Sequence, residues 1–272
     1  MRMNDRFFTF ANSKLKITMQ LNYKTYGKGP ALIILHGLFG SLDNWVSHAR
    51  SLSDTYSVYL LDQRNHGKSP HASEWNYEVM AEDLMDFMDE QGIYTAHILG
   101  HSMGGKTAMK FADDYPERID RLVVVDMAPK AYPPYHTHIL KALMGIDLSV
   151  LNARKEVDQQ LQAGIEEVSI RQFLLKGLGR DDHRKLKWKF NLQVIYNNYH
   201  RMLEAIVFQE PFHAPTLFVS GGESAYVLKE DHARIKESFS RAEFISIPGA
   251  GHWLHAEAPA KFLEIIRNFL SD

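Results

Sequence analysis

Ser102 stands in Gly100-His101-Ser102-Met103-Gly104, between the apolar run Ile98-Leu99 and a helix-forming run. A serine at that spacing reads as a nucleophile. It would sit on a turn tight enough to strain its own backbone, and the small residues two before and two after would let strand and helix approach closely. The helix that follows would aim its unpaired N–H groups at whatever Ser102 attacks. A serine hydroxyl attacks poorly at neutral pH, so it needs a base to take its proton and return one to the leaving group. Among 14 histidines, His252 in Ala250-Gly251-His252-Trp253 follows a strand-like run and precedes a helical one, which puts it on a loop at the same edge as Ser102. His255 is the weaker substitute.

The base in turn needs a carboxylate to fix its tautomer, and the chain order Ser, acid, His requires that acid between positions 102 and 252. Two residues qualify. Asp126 ends the apolar run Leu122–Val125, and Glu223 lies in Ser220-Gly221-Gly222-Glu223-Ser224 after the next such run. Chemistry alone leaves both open. The oxyanion would be met in the turn His36-Gly37-Leu38-Phe39-Gly40 by the Leu38 N–H, with Phe39 the weaker candidate, and by the Met103 N–H.

These groups must be held by strand ends. Ala31–Leu35, Ser57–Leu61, His97–Leu99, Leu122–Val125, Thr216–Val219 and Phe244–Ile247 are short, β-rich runs alternating with helical patterns, which predicts a parallel, doubly wound sheet. Leu15–Met19 and Leu21–Tyr26 read as a hairpin at one edge. Met80, Leu84, Phe87 and Met88 fall on one face of a helix that Asn76 can cap and Gly92 can end. Met103–Tyr115 and Pro259–Leu270 repeat the pattern.

Residues 128–213 lack apolar strand runs and hold amphipathic segments at His138–Gly145, Leu151–Ala163, Ile170–Leu178 and Lys185–Ile206, bounded by Pro129, Pro133 and Pro134 and by Pro211 and Pro215. The reading is a helical cap, 128–213, inserted before the penultimate strand of a core made of 1–127 and 214–272. Trp188, Phe190, Tyr196 and Tyr199 lie at helical spacing within it and read as cap core.

The chain contains no cysteine, which excludes a disulfide framework and a thiolate nucleophile, and it shows no H-E-x-x-H spacing for a metal. A net charge of -2 gives no field that would draw nucleic acid. Charges interrupt the first 26 residues and no stretch approaches the ~20 apolar residues of a membrane span, so the expectation is a cytoplasmic protein with no membrane insertion. No cofactor is called for, and oligomeric state is open.

The motifs above, with Asp62-Gln63-Arg64-Asn65-His66-Gly67-Lys68-Ser69 and Val125-Asp126-Met127-Ala128-Pro129, resemble those of the α/β-hydrolase-fold serine esterases, and among them the compact bacterial esterases of the YbfF type. The resemblance implies that the acid follows the strand before the cap, which selects Asp126. Glu223 departs from the neutral amide usual in that family's Gly-Gly-x-Ser loop, so a second acid stays in view. Ser224 matches the family's serine, which implies a hydrogen bond to the Asp126–His252 pair. Arg64, Asn65 and His66 read as residues that hold loops together. The whole points to a carboxylic ester or thioester hydrolase acting on small molecules through an acyl-Ser102 intermediate. The alternatives are a C–C bond hydrolase or lyase on the same residues, and a ligand-sensing receptor of the same fold.

Overall fold

Ala31-Leu-Ile-Ile-Leu35 carries no polar side chain, so as a strand it must be covered on both faces, and its alternate residues must find different partners. In the computed structural model, which describes residues 18–271, they do. Leu32 and Ile34 join Trp45, Ala49, Phe262 and Ile266 in one apolar cluster. Ile33 and Leu35 join Met80, Leu84, Met109 and Phe111 in the other.

The strands are β1 (Tyr23–Tyr26), β2 (Ala31–Leu35), β3 (Ser57–Leu61), β4 (Ala96–His101), β5 (Ile119–Val125), β6 (Leu178–Arg180), β7 (Leu186–Trp188), β8 (Thr216–Gly221) and β9 (Ala242–Ile247). Seven of them form one sheet in the order β1-β3-β2-β4-β5-β8-β9, parallel throughout except for β1. Helices α1 (Val46–Leu52), α2 (Tyr77–Glu90) and α3 (Met103–Asp114) follow β2, β3 and β4. The Asn76 side chain accepts the Val79 N–H at 2.9 Å to start α2, and Gly92, at φ 66°, turns the chain away after it.

The edge differs from the expected hairpin. β1 pairs antiparallel with β3, Tyr23 opposite Leu61, so its partner comes from a distant run. Residues 15–17 of the expected first arm lie outside the described residues, and Thr18 and Met19 are not in a strand.

Between β5 and β8 the chain leaves the sheet. It forms α4 (Thr137–Met144), α5 (Arg154–Gln162), α6 (Val168–Lys176) and α7 (Leu192–Met202), with β6 and β7 paired as an antiparallel hairpin between the last two. The hairpin replaces the start of the helix expected over Lys185–Ile206. Its arms are three residues each, too short to read as apolar runs. The Asp181 carboxylate tightens its turn by accepting the N–H groups of His183 and Lys185 at 2.9 and 2.8 Å. Trp188 is therefore a strand residue and Phe190 a turn residue, Tyr196 is exposed, and only Phe190 and Tyr199 are fully packed. Leu143, Val157, Leu161, Leu174 and Ile195 are buried in the same cluster that covers the α2 and α3 face of the sheet. After β8 come α8 (Asp231–Ser238), α9 (Leu254–Glu257) and α10 (Pro259–Ser271). Among the described residues no helix is long and apolar enough to cross a membrane.

Candidate active site

Ser102 has φ 54° and ψ −116°, a conformation that costs a non-glycine residue about 1–3 kcal/mol and persists only when its surroundings over-determine it. Those surroundings are backbone. A Cβ at Gly100 would strike the Gly104 carbonyl, and one at Gly104 would strike that of Leu35. The Ser102 N–H donates to Val125 O at 3.0 Å, which fixes the turn to the end of β5. Met103 begins α3, so its N–H faces the same side as the serine with no helical carbonyl to meet it.

His252 Nε2 lies 3.0 Å from Ser102 Oγ, and its Nδ1 lies 2.7 Å from Asp126 Oδ2. Asp126 follows β5 at φ 49° and is fully buried. Its Oδ1 accepts the Gly221 N–H at 3.1 Å and its Oδ2 accepts the Ser224 hydroxyl at 2.5 Å. A buried carboxylate needs such donors. Glu223 is elsewhere: its side chain is exposed while its N–H donates to Ala250 O at 2.9 Å. Of the two acids weighed from sequence, only Asp126 reaches His252.

In the turn after β2, Gly37 is required because a Cβ there would lie 2.9 Å from the His101 ring and 3.3 Å from Ser102 Cβ. The two candidate N–H groups of this turn are not equivalent. That of Phe39, whose φ is 61°, donates to His66 Nε2 at 3.3 Å. His66 Nδ1 lies 3.0 Å from Arg64 O, a pure acceptor, so Nδ1 carries the proton and Nε2 is free to accept. Burial pushes the His66 pKa down to about 3 and holds the ring in that neutral form. Leu38 keeps the N–H that is left for a ligand.

Arg64 and Asn65 hold loops. The Arg64 guanidinium meets both Asp83 oxygens, at 2.5 and 2.7 Å, and also the carbonyls of Glu74 and Val79. Asn65 ties the loop to the start of α7: its carbonyl accepts the Asn191 N–H at 2.8 Å, and its side chain accepts Asn191 Nδ2 at 3.1 Å.

Ser102 borders two cavities. The larger, about 290 Å³, is walled by Trp45, Ile139, Ile170, Phe173 and Leu174 together with several imidazoles. The smaller, about 40 Å³, lies among Leu38, Tyr77, Met127, Tyr132 and Met202. Burial lowers His36 and His136 to about 4 and His255 to about 3, and holds His101 well below the usual imidazole range, so these four imidazoles are uncharged at neutral pH. His255, the substitute base considered from sequence, stacks on Trp45 at 4.4 Å between ring centroids and makes no bond to Ser102.

Three contributors are not among the candidates read from sequence. His101 Nε2 donates to the His252 carbonyl at 2.9 Å, pinning the histidine loop to the serine turn. Tyr226 stacks on the His252 imidazole at 4.0 Å with the planes 19° apart. Its carbonyl accepts the Tyr132 hydroxyl at 2.7 Å. Lys106, one turn beyond Ser102 on α3, is completely buried, with its ammonium donating to Glu204 O and lying 5.0 Å from the Tyr132 ring and 5.7 Å from that of Tyr77. Burial lowers its pKa to about 7. The lysine is visible in Gly104-Gly105-Lys106, but nothing in sequence says that its side chain turns inward.

The family model described as alpha/beta hydrolase fold matches residues 30–259. The chain belongs to that family. It is 37% identical over 251 residues to the sn-1-specific diacylglycerol lipase ABHD11 of Mus musculus, a match covering 89% of this chain and 81% of the relative. It is also 37% identical over 263 residues to Esterase YbfF of Escherichia coli, covering 95% of this chain and all of that one. A solved structure titled marine microorganism esterase superposes with a TM-score of 0.91 at 43% identity, over 93% of this chain and all of that chain. Among the described residues no three His, Asp or Glu side chains are grouped to hold a metal ion.

Proposed function

We propose that the protein hydrolyses carboxylic esters, thioesters included, through a covalent acyl-Ser102 intermediate. The observation that carries the reading is the unbroken series Ser102 Oγ, His252 Nε2, His252 Nδ1, Asp126 Oδ2, with separations of 3.0 and 2.7 Å at its two hydrogen bonds. In the acylation step Ser102 Oγ attacks the carbonyl carbon while His252 Nε2 takes the serine proton. The carbonyl electron pair moves onto oxygen, facing the N–H groups of Leu38 and Met103. Collapse of that intermediate breaks the bond to the alcohol or thiol, which leaves with the proton from His252. Water then repeats the sequence on the acyl-enzyme and releases the acid. Asp126 keeps Nδ1 protonated, so that Nε2 is the basic nitrogen, and stabilises the imidazolium formed at each step.

The segment 128–213 acts as a cap that selects the acyl group. Ile139, Ile170, Phe173 and Leu174 come from α4 and α6 and supply much of the apolar wall of the larger cavity. A cavity of about 290 Å³ walled by these apolar side chains suits an acyl chain better than a charged group. Relatives named esterase and diacylglycerol lipase support the same class.

The test is a screen of purified protein against p-nitrophenyl esters from acetate to dodecanoate, with acyl thioesters and a diacylglycerol as further arms, alongside fluorophosphonate labelling. Turnover with label on Ser102, both lost in Ser102→Ala, is the expected result. Label on another serine would reassign the nucleophile, and absence of turnover with every ester would leave the fold without the proposed reaction.

A further inference from the structure

A second cavity has about twice the volume of the one at Ser102. A cleft of about 630 Å³ opens between the β1 edge of the sheet and the β6–β7 hairpin, lined by Lys24, Lys68, Arg180, Lys187, Trp188 and Lys189. Ser41, Leu42 and Asp43 also line it, while the next residues along, Asn44 and Trp45, line the Ser102 cavity, so the two cavities flank one turn.

Five cations in one cleft stand out in a chain whose net charge is -2. The two carboxylates there do not neutralise them. Asp62 is committed to its own loop, accepting the N–H groups of Leu42 and Lys68 at 2.8 and 2.9 Å and the Asn22 amide at 2.7 Å. Asp43 pairs with Lys24 at 2.8 Å. Among the described residues Lys68, Arg180, Lys187 and Lys189 have no carboxylate at ion-pairing distance. Arg180 bonds the carbonyls of Arg184 and Asn152, and Lys189 that of Lys176, which orients these groups and leaves their charge uncompensated. The charges converge on the same space: the bond to Lys24 holds Asp43 below the usual carboxylate range with the fields of Lys189 and Lys68 adding to it, and Lys187 adds to burial in lowering His71.

We propose that this cleft is a second binding site, which takes a multiply charged phosphoryl group. Several ammonium groups and a guanidinium fixed around a concave space are the donors such an anion selects, and a neutral ester has no use for them. Trp188, stacked on Phe190 at 5.2 Å and half-buried, gives the cleft an aromatic wall for whatever carries the phosphate. The site is independent of ester hydrolysis and is read by binding.

The experiment titrates the full chain with pyrophosphate by calorimetry at 150 mM salt, in wild type and in the double variant Lys68→Gln, Lys187→Gln. Both side chains are exposed and neither touches the Ser102 site, so p-nitrophenyl butyrate hydrolysis and the thermal melt report that the variant is folded. Saturable binding in wild type, weakened at least tenfold in the variant with hydrolysis within twofold, supports the site. No saturable heat at millimolar pyrophosphate, or binding equal in both proteins, overturns it. A parallel arm sediments the two proteins with phosphatidylglycerol vesicles. Vesicle binding that the variant loses, without pyrophosphate binding, overturns the enclosed site in favour of a lipid surface.

Discussion

Replacing Asp126 by asparagine separates charge and tautomer from shape. The amide has two orientations, and the structure discriminates between them. With its oxygen at the Oδ1 position it keeps the Gly221 N–H, and the NH₂ then occupies the place of Oδ2, facing Ser224 Oγ and His252 Nδ1. The serine hydroxyl can rotate to accept, but the imidazole must shed its Nδ1 proton and carry it on Nε2, where it can no longer take the proton of Ser102. The opposite orientation sets NH₂ against the Gly221 N–H, two donors in a buried site, at about 1–3 kcal/mol. The folded variant therefore populates the wrong tautomer, and the loss expected for a triad acid turned amide is about 10³- to 10⁴-fold in kcat, or roughly 4–5.5 kcal/mol. Stopped-flow or steady-state kcat with p-nitrophenyl butyrate at pH 7.5, with a thermal melt to establish folding, measures it. Glu223→Gln, at an exposed side chain with no bond to His252, should change kcat less than threefold. A folded Asp126→Asn protein within tenfold of wild type, or an equal loss in Glu223→Gln, would refute the assignment.

Lys106→Met removes a buried ammonium whose pKa is lowered from 10.5 to about 7. Between those values the unfolded chain binds more protons, so wild-type stability rises with pH relative to the variant, by roughly 1.5–2 kcal/mol from pH 7 to 8.5 and about 5 °C in the Tm difference. Parallel melting curves across that range would show that Lys106 is not the titrating group. Ser102→Ala should stay folded and lose at least about 10⁴-fold in turnover; retention of a tenth of the activity would displace it as nucleophile. Tyr226→Leu removes an aromatic stack on the imidazole and should lower kcat by about 3–12-fold with little change in KM, while Tyr226→Phe restores it; a loss confined to KM would make Tyr226 a substrate contact instead. Phe173→Ala should raise kcat/KM for decanoate relative to acetate by about tenfold, and an unchanged profile would move the acyl pocket away from α6.

Ser102, His252 and the alternation of strands with helices were legible because their signals are local. A nucleophile turn needs glycines within two residues, a strand covered on both faces reads as an uninterrupted apolar run, and Asn76 and Gly92 announce the ends of α2 on their own. The resemblance of six short motifs to one family was equally a property of the chain. Residue chemistry left Asp126 and Glu223 open, because each ends a comparable segment, and the resemblance alone pointed to Asp126. The physical distinction is the register of β5 against β8, which sets Gly221 and Ser224 around Asp126 and separates the carboxylate that meets the histidine from the one that meets water. Leu38 and Phe39 are likewise adjacent donors until His66, 27 residues on, takes one of them. The β6–β7 hairpin, the inward turn of Lys106 and the stacking of Tyr226 on His252 left no mark in composition or spacing. Each depends on groups brought together across the sheet or between sheet and insertion. Local sequence determines which elements form and which residues end them, whereas the partners of a polar side chain at an element's end are set by how the elements pack.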